Sequence, residues 1–103
     1  VLLKCDEWYQ RSDGRFDASV GKLTQLWRAS RRLRRLPTQE QITQAQLHSG
    51  WHHIQLHLGQ QQVQVHDPEV QIDLGGIAAG YMVDRAYDRL IQTGLNRCLV
   101  NLG

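Results

Sequence analysis

The sequence predicts a small domain that mixes helices with antiparallel strands. Three observations carry that expectation. Apolar residues recur at helical spacing in several separate blocks; the stretches around Ile54–Leu58 and Gln62–His66 alternate between apolar and polar; and Ile72 to Asp84 reads as strand, glycine turn and helix in direct succession. A chain of 103 residues suffices for one such domain and not for two. At 41% hydrophobic and 21% charged residues it falls in the ordinary globular range, and a formal net charge of +2 is too small to argue for nucleic acid. Cys5 and Cys98 lack C-x-x-C spacing and permit one disulfide without requiring it. No apolar run is long enough to span a bilayer.

Leu2, Leu3, Cys5, Asp6, Trp8 and Tyr9 fit an amphipathic helix ending near Asp13-Gly14, with Gly14 just past the end, where a left-handed residue closes many helices. Arg15–Gly21 then reads as irregular chain. Phe16 and Val20 are expected to be buried, and Asp17 and Ser19 are polar groups able to face a site. Leu23, Leu26 and Trp27 predict a short helix from about Lys22 to Ala29. Ser30–Leu36 is the only charge run. Arg31, Arg32, Arg34 and Arg35 suggest a phosphate or nucleic-acid patch, but no aromatic residue is interleaved and Pro37 closes the run. A solvated loop or helix end is therefore the expectation. Thr38-x-x-Gln41 forms a capping-box pattern, opening a helix with Ile42, Ala45 and Leu47 as apolar positions and Gly50 as its stop.

The next segment can be read in register. A two-residue turn at Gly59-Gln60 pairs Leu56 with Val63 and Ile54 with Val65 on a buried face. It pairs Gln55 with Gln64 and His53 with His66 on the other. The His53/His66 pair, with Asp67 nearby, raises a metal-site hypothesis. Two exposed imidazoles need at least one more ordered ligand for zinc, and His48 and His52 complete no evident set, so solvated surface histidines are the expectation. Asp67-Pro68 predicts a turn and Val70-Gln71-Ile72 a third strand. Val83, Ala86, Tyr87, Leu90 and Ile91 predict a helix ended by Gly94, and Arg97–Asn101 a final strand.

Chemistry concentrates in Ile72-Asp73-Leu74-Gly75-Gly76-Ile77-Ala78-Ala79-Gly80-Tyr81-Met82-Val83-Asp84. A glycine-rich turn lets a ligand approach the main chain, and the first turn of the following helix presents N–H groups suited to a phosphate. The spacing is neither G-x-G-x-x-G nor a Walker A loop, and a mere change of direction would also use glycine.

These residues carry a resemblance. Ser12-Asp13-Gly14-Arg15-Phe16-Asp17-Ala18-Ser19-Val20-Gly21, with Leu23 and Leu26-Trp27, resembles T-x-G-x-F-D-x-T-V-G-P-L-x-x-L-W; Pro37-Thr38 with Ile42 is similar to P-S-x-x-x-I. Asp73 to Asp84 resembles D-L-G-G-I-A-K-G-Y-A-V-D, and Gly94 with Leu99-Val100-Asn101-Leu102-Gly103 resembles G…L-V-N-x-G. The family is ApbE, the FAD:protein FMN transferases, once called thiamine biosynthesis lipoproteins. The resemblance covers nearly the whole chain and implies one partial domain, 1–103, whose N- and C-terminal parts are missing. It implies an α+β fold related to the tandem ββαα T-fold, an antiparallel sheet with packed helices. It implies an enzyme that uses FAD and magnesium to place FMN on a threonine of a target protein, with release of AMP. The alternatives are an FAD pyrophosphatase of the same family and a degenerate flavin-binding domain. Nucleic acid is not an implied partner, and a membrane enters only through a lipid anchor outside this chain, at the cell-envelope or periplasmic side.

Carried over by position, Gly75, Gly76, Ile77, Ala78, Gly80, Tyr81 and Asp84 fall on the flavin-pocket motif. Asp84 is placed to accept a ribose or adenine hydrogen bond, and Asp73 to hold the loop. Gly76 would lend its backbone carbonyl to the metal. Phe16, Asp17 and Ser19 lie on the motif beside the pocket, with Ser19 in place of a threonine. Two departures stand out. Ala79 replaces the family's lysine, and Lys22 its proline. The family's S-E-x-S-x-x-N segment precedes this chain, and its metal-binding aspartate and threonine and its histidine follow Gly103, so the catalytic residues are expected outside it.

Overall fold

The computed structural model describes residues 1–103 and divides into two compact units, Leu2–Asp73 and, with Val1, Leu74–Gly103. The first unit opens with α1 (Leu2–Arg11), which buries Cys5 completely. On its solvent side Lys4 and Arg11 both pair with Glu7, at 2.6 and 3.2 Å, contacts of a few tenths of a kcal/mol in a helix. The helix closes as its sequence predicts. Gly14, at φ +72, donates its N–H to the Tyr9 carbonyl at 2.9 Å.

Helix α2 (Gly21–Leu33) runs four residues beyond the expected end. Nothing from Ser30 to Leu33 breaks a helix, and arginine and leucine favour one, so the first half of the charge run is helical. It stops at Arg34, which takes the left-handed φ of 50°, with Arg34 N–H on the Arg31 carbonyl and Arg35 N–H on that of Ser30. Helix α3 (Gln39–Leu47) packs against α2 and begins with the full capping box. The Thr38 hydroxyl accepts from the Gln41 N–H at 3.2 Å, and the Gln41 side chain accepts from the Thr38 N–H at 2.9 Å. Gly50, at φ +129, lies two residues past the His48 cap, and a single 3-10 turn over Trp51–His53 leads into the sheet.

The sheet is one antiparallel hairpin of β1 (Ile54–His57) and β2 (Gln62–Val65), paired Ile54↔Val65, Gln55↔Gln64 and Leu56↔Val63, as the alternation requires. Its connection differs from the expected two-residue turn. Leu58–Gln60 form a 3-10 turn and Gln61, at φ 52, completes a four-residue loop. The loop takes one extra residue from each strand, which leaves the register unchanged. The apolar face is covered unevenly: Ile54 is buried and Leu56 half-buried, whereas Val63 and Val65 are exposed.

Two expected strands are absent. Val70–Ile72 makes only a one-residue parallel bridge, Val20↔Gln71, with Gly21 N–H on the Gln71 carbonyl at 2.8 Å and Asp73 N–H on that of Ala18 at 2.7 Å. The partner segment turns into α2 at once, so the ladder cannot lengthen. Arg97–Asn101 forms no strand and is irregular, and Leu99 is 92% exposed.

The second unit is the glycine turn, α4 (Ala78–Gln92) and the residues after it. Gly94, at φ +91, donates to the Ile91 carbonyl and closes the helix. The expected stripe is present in register, but none of its side chains is fully buried: Val83, Ala86 and Leu90 are half-buried, Tyr87 and Ile91 exposed. No helix is long and apolar enough to cross a membrane.

Candidate functional site

In the second unit the chain reverses through Leu74–Ile77. The Leu74 carbonyl accepts from both Ile77 N–H at 3.0 Å and Ala78 N–H at 2.8 Å, and Ile77 then starts α4 by accepting from Tyr81 N–H at 2.9 Å. No side chain caps this helix start, and its first turn carries no acid. Gly75, Gly76, Ala79, Gly80 and Asp84 are exposed, while Ile77, Ala78 and Tyr81 are half-buried. A Cβ added at Gly80 would meet nothing within 4 Å. Asp84 lies one turn beyond Gly80 on the same side of the helix. A bare helix start, two exposed glycines and a clear first turn together form a surface that an anionic group can approach closely.

In the first unit the motif around Asp17 is turned inward. One carboxylate oxygen of Asp17 accepts from the Ser19 N–H at 2.7 Å and from the Ser19 hydroxyl, and the other accepts from Trp51 N–H at 3.0 Å. The Ser19 oxygen in turn accepts from Gly50 N–H at 3.2 Å. Ser19, expected at the flavin site, is therefore fully buried, with its hydroxyl occupied at both ends. It has no surface to offer a ligand, and it acts by fixing the backbone. Phe16 and Val20, expected to be buried, are half-buried. Asp73 donates its N–H to Ala18 and holds Arg28 at 3.4 Å.

Sequence reasoning missed Asp6 and Trp51. The Trp51 indole is almost fully buried, donates to Asp6 at 2.7 Å, and lies 6.3 Å from the Tyr9 ring. The available signal was chemical: a tryptophan inside a small core needs an acceptor for its N–H.

The histidines form a cluster other than the expected one. His48 Nδ1 is 2.8 Å from Asp67 Oδ2, and His53 Nε2 is 4.0 Å from the same oxygen and 3.3 Å from the Leu47 carbonyl. His66 bonds Gln55 at 3.1 Å. The hydrogen bond to His48 is the main reason the Asp67 carboxyl is held below its ordinary range. No three acid, histidine or cysteine groups are placed to hold a metal ion.

Comparison with known proteins identifies the family. The family model described as ApbE family matches residues 1–103. The FAD:protein FMN transferase of Chlamydia pneumoniae is 37% identical over 83 residues, covering 81% of this chain and 26% of that protein. The FAD:protein FMN transferase of Salmonella typhimurium is 33% identical over 97 residues, covering 90% and 28%. Among solved structures, the apo form of the Pseudomonas stutzeri flavinyl transferase ApbE superposes with a TM-score of 0.76 at 31% identity, covering 89% of this chain and 29% of that one. The fold is thus a partial α+β domain of flavin-transferase type. The chain belongs to the ApbE family and spans a little over a quarter of the length of these relatives.

Proposed function

We propose that the protein containing this chain transfers FMN from FAD to a threonine hydroxyl of a target protein and releases AMP. The observation that carries the reading is the uncapped start of α4 behind the exposed glycine turn. In the reaction the hydroxyl oxygen bonds to the FMN-side phosphorus, the bond to the bridging oxygen breaks, AMP leaves with that oxygen, and the hydroxyl proton is lost. Backbone N–H groups and a helix start suit the charge that collects on the phosphate oxygens.

On this reading Gly75, Gly76, Ile77, Ala78, Gly80 and Tyr81 form the flavin-nucleotide surface. Asp84 accepts a hydrogen bond from ribose or adenine, and Ser19 supports its segment from inside the first unit. Magnesium would find one ligand in this chain, the Gly76 carbonyl. The acid, histidine and cysteine side chains offer no cluster to complete the shell, so these 103 residues do not by themselves make a magnesium site. A cell-envelope location, with a lipid anchor outside this chain, belongs to the same proposal.

One observation favours a second reading. Ala79 places a methyl group on the exposed first turn of α4 where the family carries lysine, and a lost phosphate-facing cation costs a transferase several kcal/mol in the transition state. That suits a domain that binds flavin without transferring it, or one that only hydrolyses FAD.

The test is the full-length protein with FAD, magnesium and a threonine-bearing acceptor, beside its Ala79→Lys variant. Covalent flavin on the acceptor from the unaltered protein establishes the transferase. FMN and AMP without an adduct establish the hydrolase. FAD binding without product, rescued by the lysine, establishes the binding domain. Gly80→Ala serves as a probe of the site. Replacing a helical glycine strengthens α4 by up to about 1 kcal/mol, yet FAD binding should weaken if ligand lies against that turn.

A further inference from the structure

The chain's excess positive charge is gathered on α2. Residues 18–39 hold six of the twelve lysines and arginines and none of the ten acids. Lys22 and Arg28 find acids elsewhere, Glu69 at 2.6 Å and Asp73 at 3.4 Å. Arg31, Arg32, Arg34 and Arg35 enter no ion pair. Along the same face Val20, Leu23, Thr24, Trp27, Arg28 and Arg31 line a groove of about 550 Å³. Trp27 and Arg31 carry it into a second hollow of about 350 Å³, bounded by Ser30, Arg34, Arg35 and Leu36.

The two hollows combine an apolar floor with a cationic rim. Trp27 is 49% exposed and Leu36 is 79% exposed, so both are open to a partner. The sequence shows no aromatic inside the charge run, but the helix brings Trp27 one turn from Arg31. Arg34 stands at the rim in a left-handed backbone conformation, at φ 50°.

We propose that this groove docks an acidic protein segment that also carries an apolar side chain. Forked guanidinium groups suit carboxylates, and the floor between Leu23, Trp27 and Leu36 suits a leucine-like anchor. A nucleic acid fits less well: one aromatic offers a single stacking surface, and the chain's net charge is only +2. The inference is independent of the transferase reading.

The experiment is fluorescence anisotropy on the full-length protein with a labelled peptide of repeated Glu-Glu-Leu triplets. Binding should weaken steeply as salt rises. It should weaken about tenfold in Arg31→Gln/Arg34→Gln/Arg35→Gln and again in Trp27→Ala, with melting curves showing each variant folded. A Lys-Lys-Leu peptide should not bind. The proposal is overturned if the acidic peptide does not bind, if the variants bind it unchanged, if the basic peptide binds equally, or if oligothymidylate or inorganic phosphate displaces it at lower charge equivalents.

Discussion

Asp17 is the residue on which the first unit turns, because its two oxygens receive three donors from two segments. Asp17→Ala strands the buried Ser19 hydroxyl and the Trp51 N–H, and should cost about 2–4 kcal/mol in urea unfolding. A loss under about 0.5 kcal/mol, the range of an ordinary surface change, would show that the network contributes little. Gly21 is fixed by close approach: an added Cβ would lie 2.5 Å from the Gln71 carbonyl oxygen, which is backbone and cannot swing aside. Gly21→Ala should therefore cost about 1–3 kcal/mol and weaken the Val20↔Gln71 bridge. Arg34→Gly should do the reverse, raising stability by about 1 kcal/mol by relieving a left-handed residue. A lower melting temperature for that variant would contradict the account. The sequence motif marks Asp17 and Ser19 as important, but it cannot tell whether they face a ligand or the interior. That depends on where Gly50 and Trp51 return.

At the scale of elements, the end of α3, the approach to β1 and the Asp67-Pro68 turn meet at one carboxylate. Asp67 accepts from His48 and from the Glu69 N–H, and its carboxyl is held below the ordinary carboxylate range, first by the His48 hydrogen bond. Glu69 is lowered by Lys22, and Glu7 by Lys4 and Arg11. A depressed carboxyl contributes stability that is fully present above its unfolded value, near pH 4, and is lost as pH falls through the lower folded value. Melting temperature should thus fall as pH drops below about 4, and Asp67→Asn should flatten part of that slope. An unchanged slope in the variant would remove Asp67 from the explanation. The hairpin register was legible because a one-residue slip would put Ile54 and Leu56 on the face opposite Val63 and Val65, and a turn centred on Gly59-Gln60 selects among the slips of two. Loop length was not, since adding one residue to each side preserves that pairing. The Val70–Ile72 and Arg97–Asn101 strands were misjudged because apolar runs specify extended chain without specifying a neighbour.

For the whole molecule, the two cysteines report independently on the two units. Cys5 is fully buried and its thiol is pushed up by that burial, whereas Cys98 is half-buried, and both are free. The thiolate is the reactive form, so iodoacetamide should label Cys98 in the native protein and Cys5 only on unfolding, as mass spectrometry of digests would show. Early labelling of Cys5 would mean that α1 opens readily. The exposed apolar side chains of β2, α4 and the last residues belong to a chain that spans a little over a quarter of its relatives.

The sequence by itself determined what is written within a turn or a strand pair. It specified the helix caps at Gly14 and Thr38, the hairpin pairing, the glycine turn before α4 and the family to which they belong. The caps, the pairing and the turn each rest on residues of one helix end or one hairpin, where chain geometry leaves little choice. The tertiary structure alone decided the inward turn of Asp17 and Ser19, the Trp51 anchor and the joining of Trp27 to the arginines above Leu36. The bonds that made the first two decisions span 31 to 45 residues. A polar side chain takes whichever partner the fold brings within reach, and no spacing along the chain records that choice.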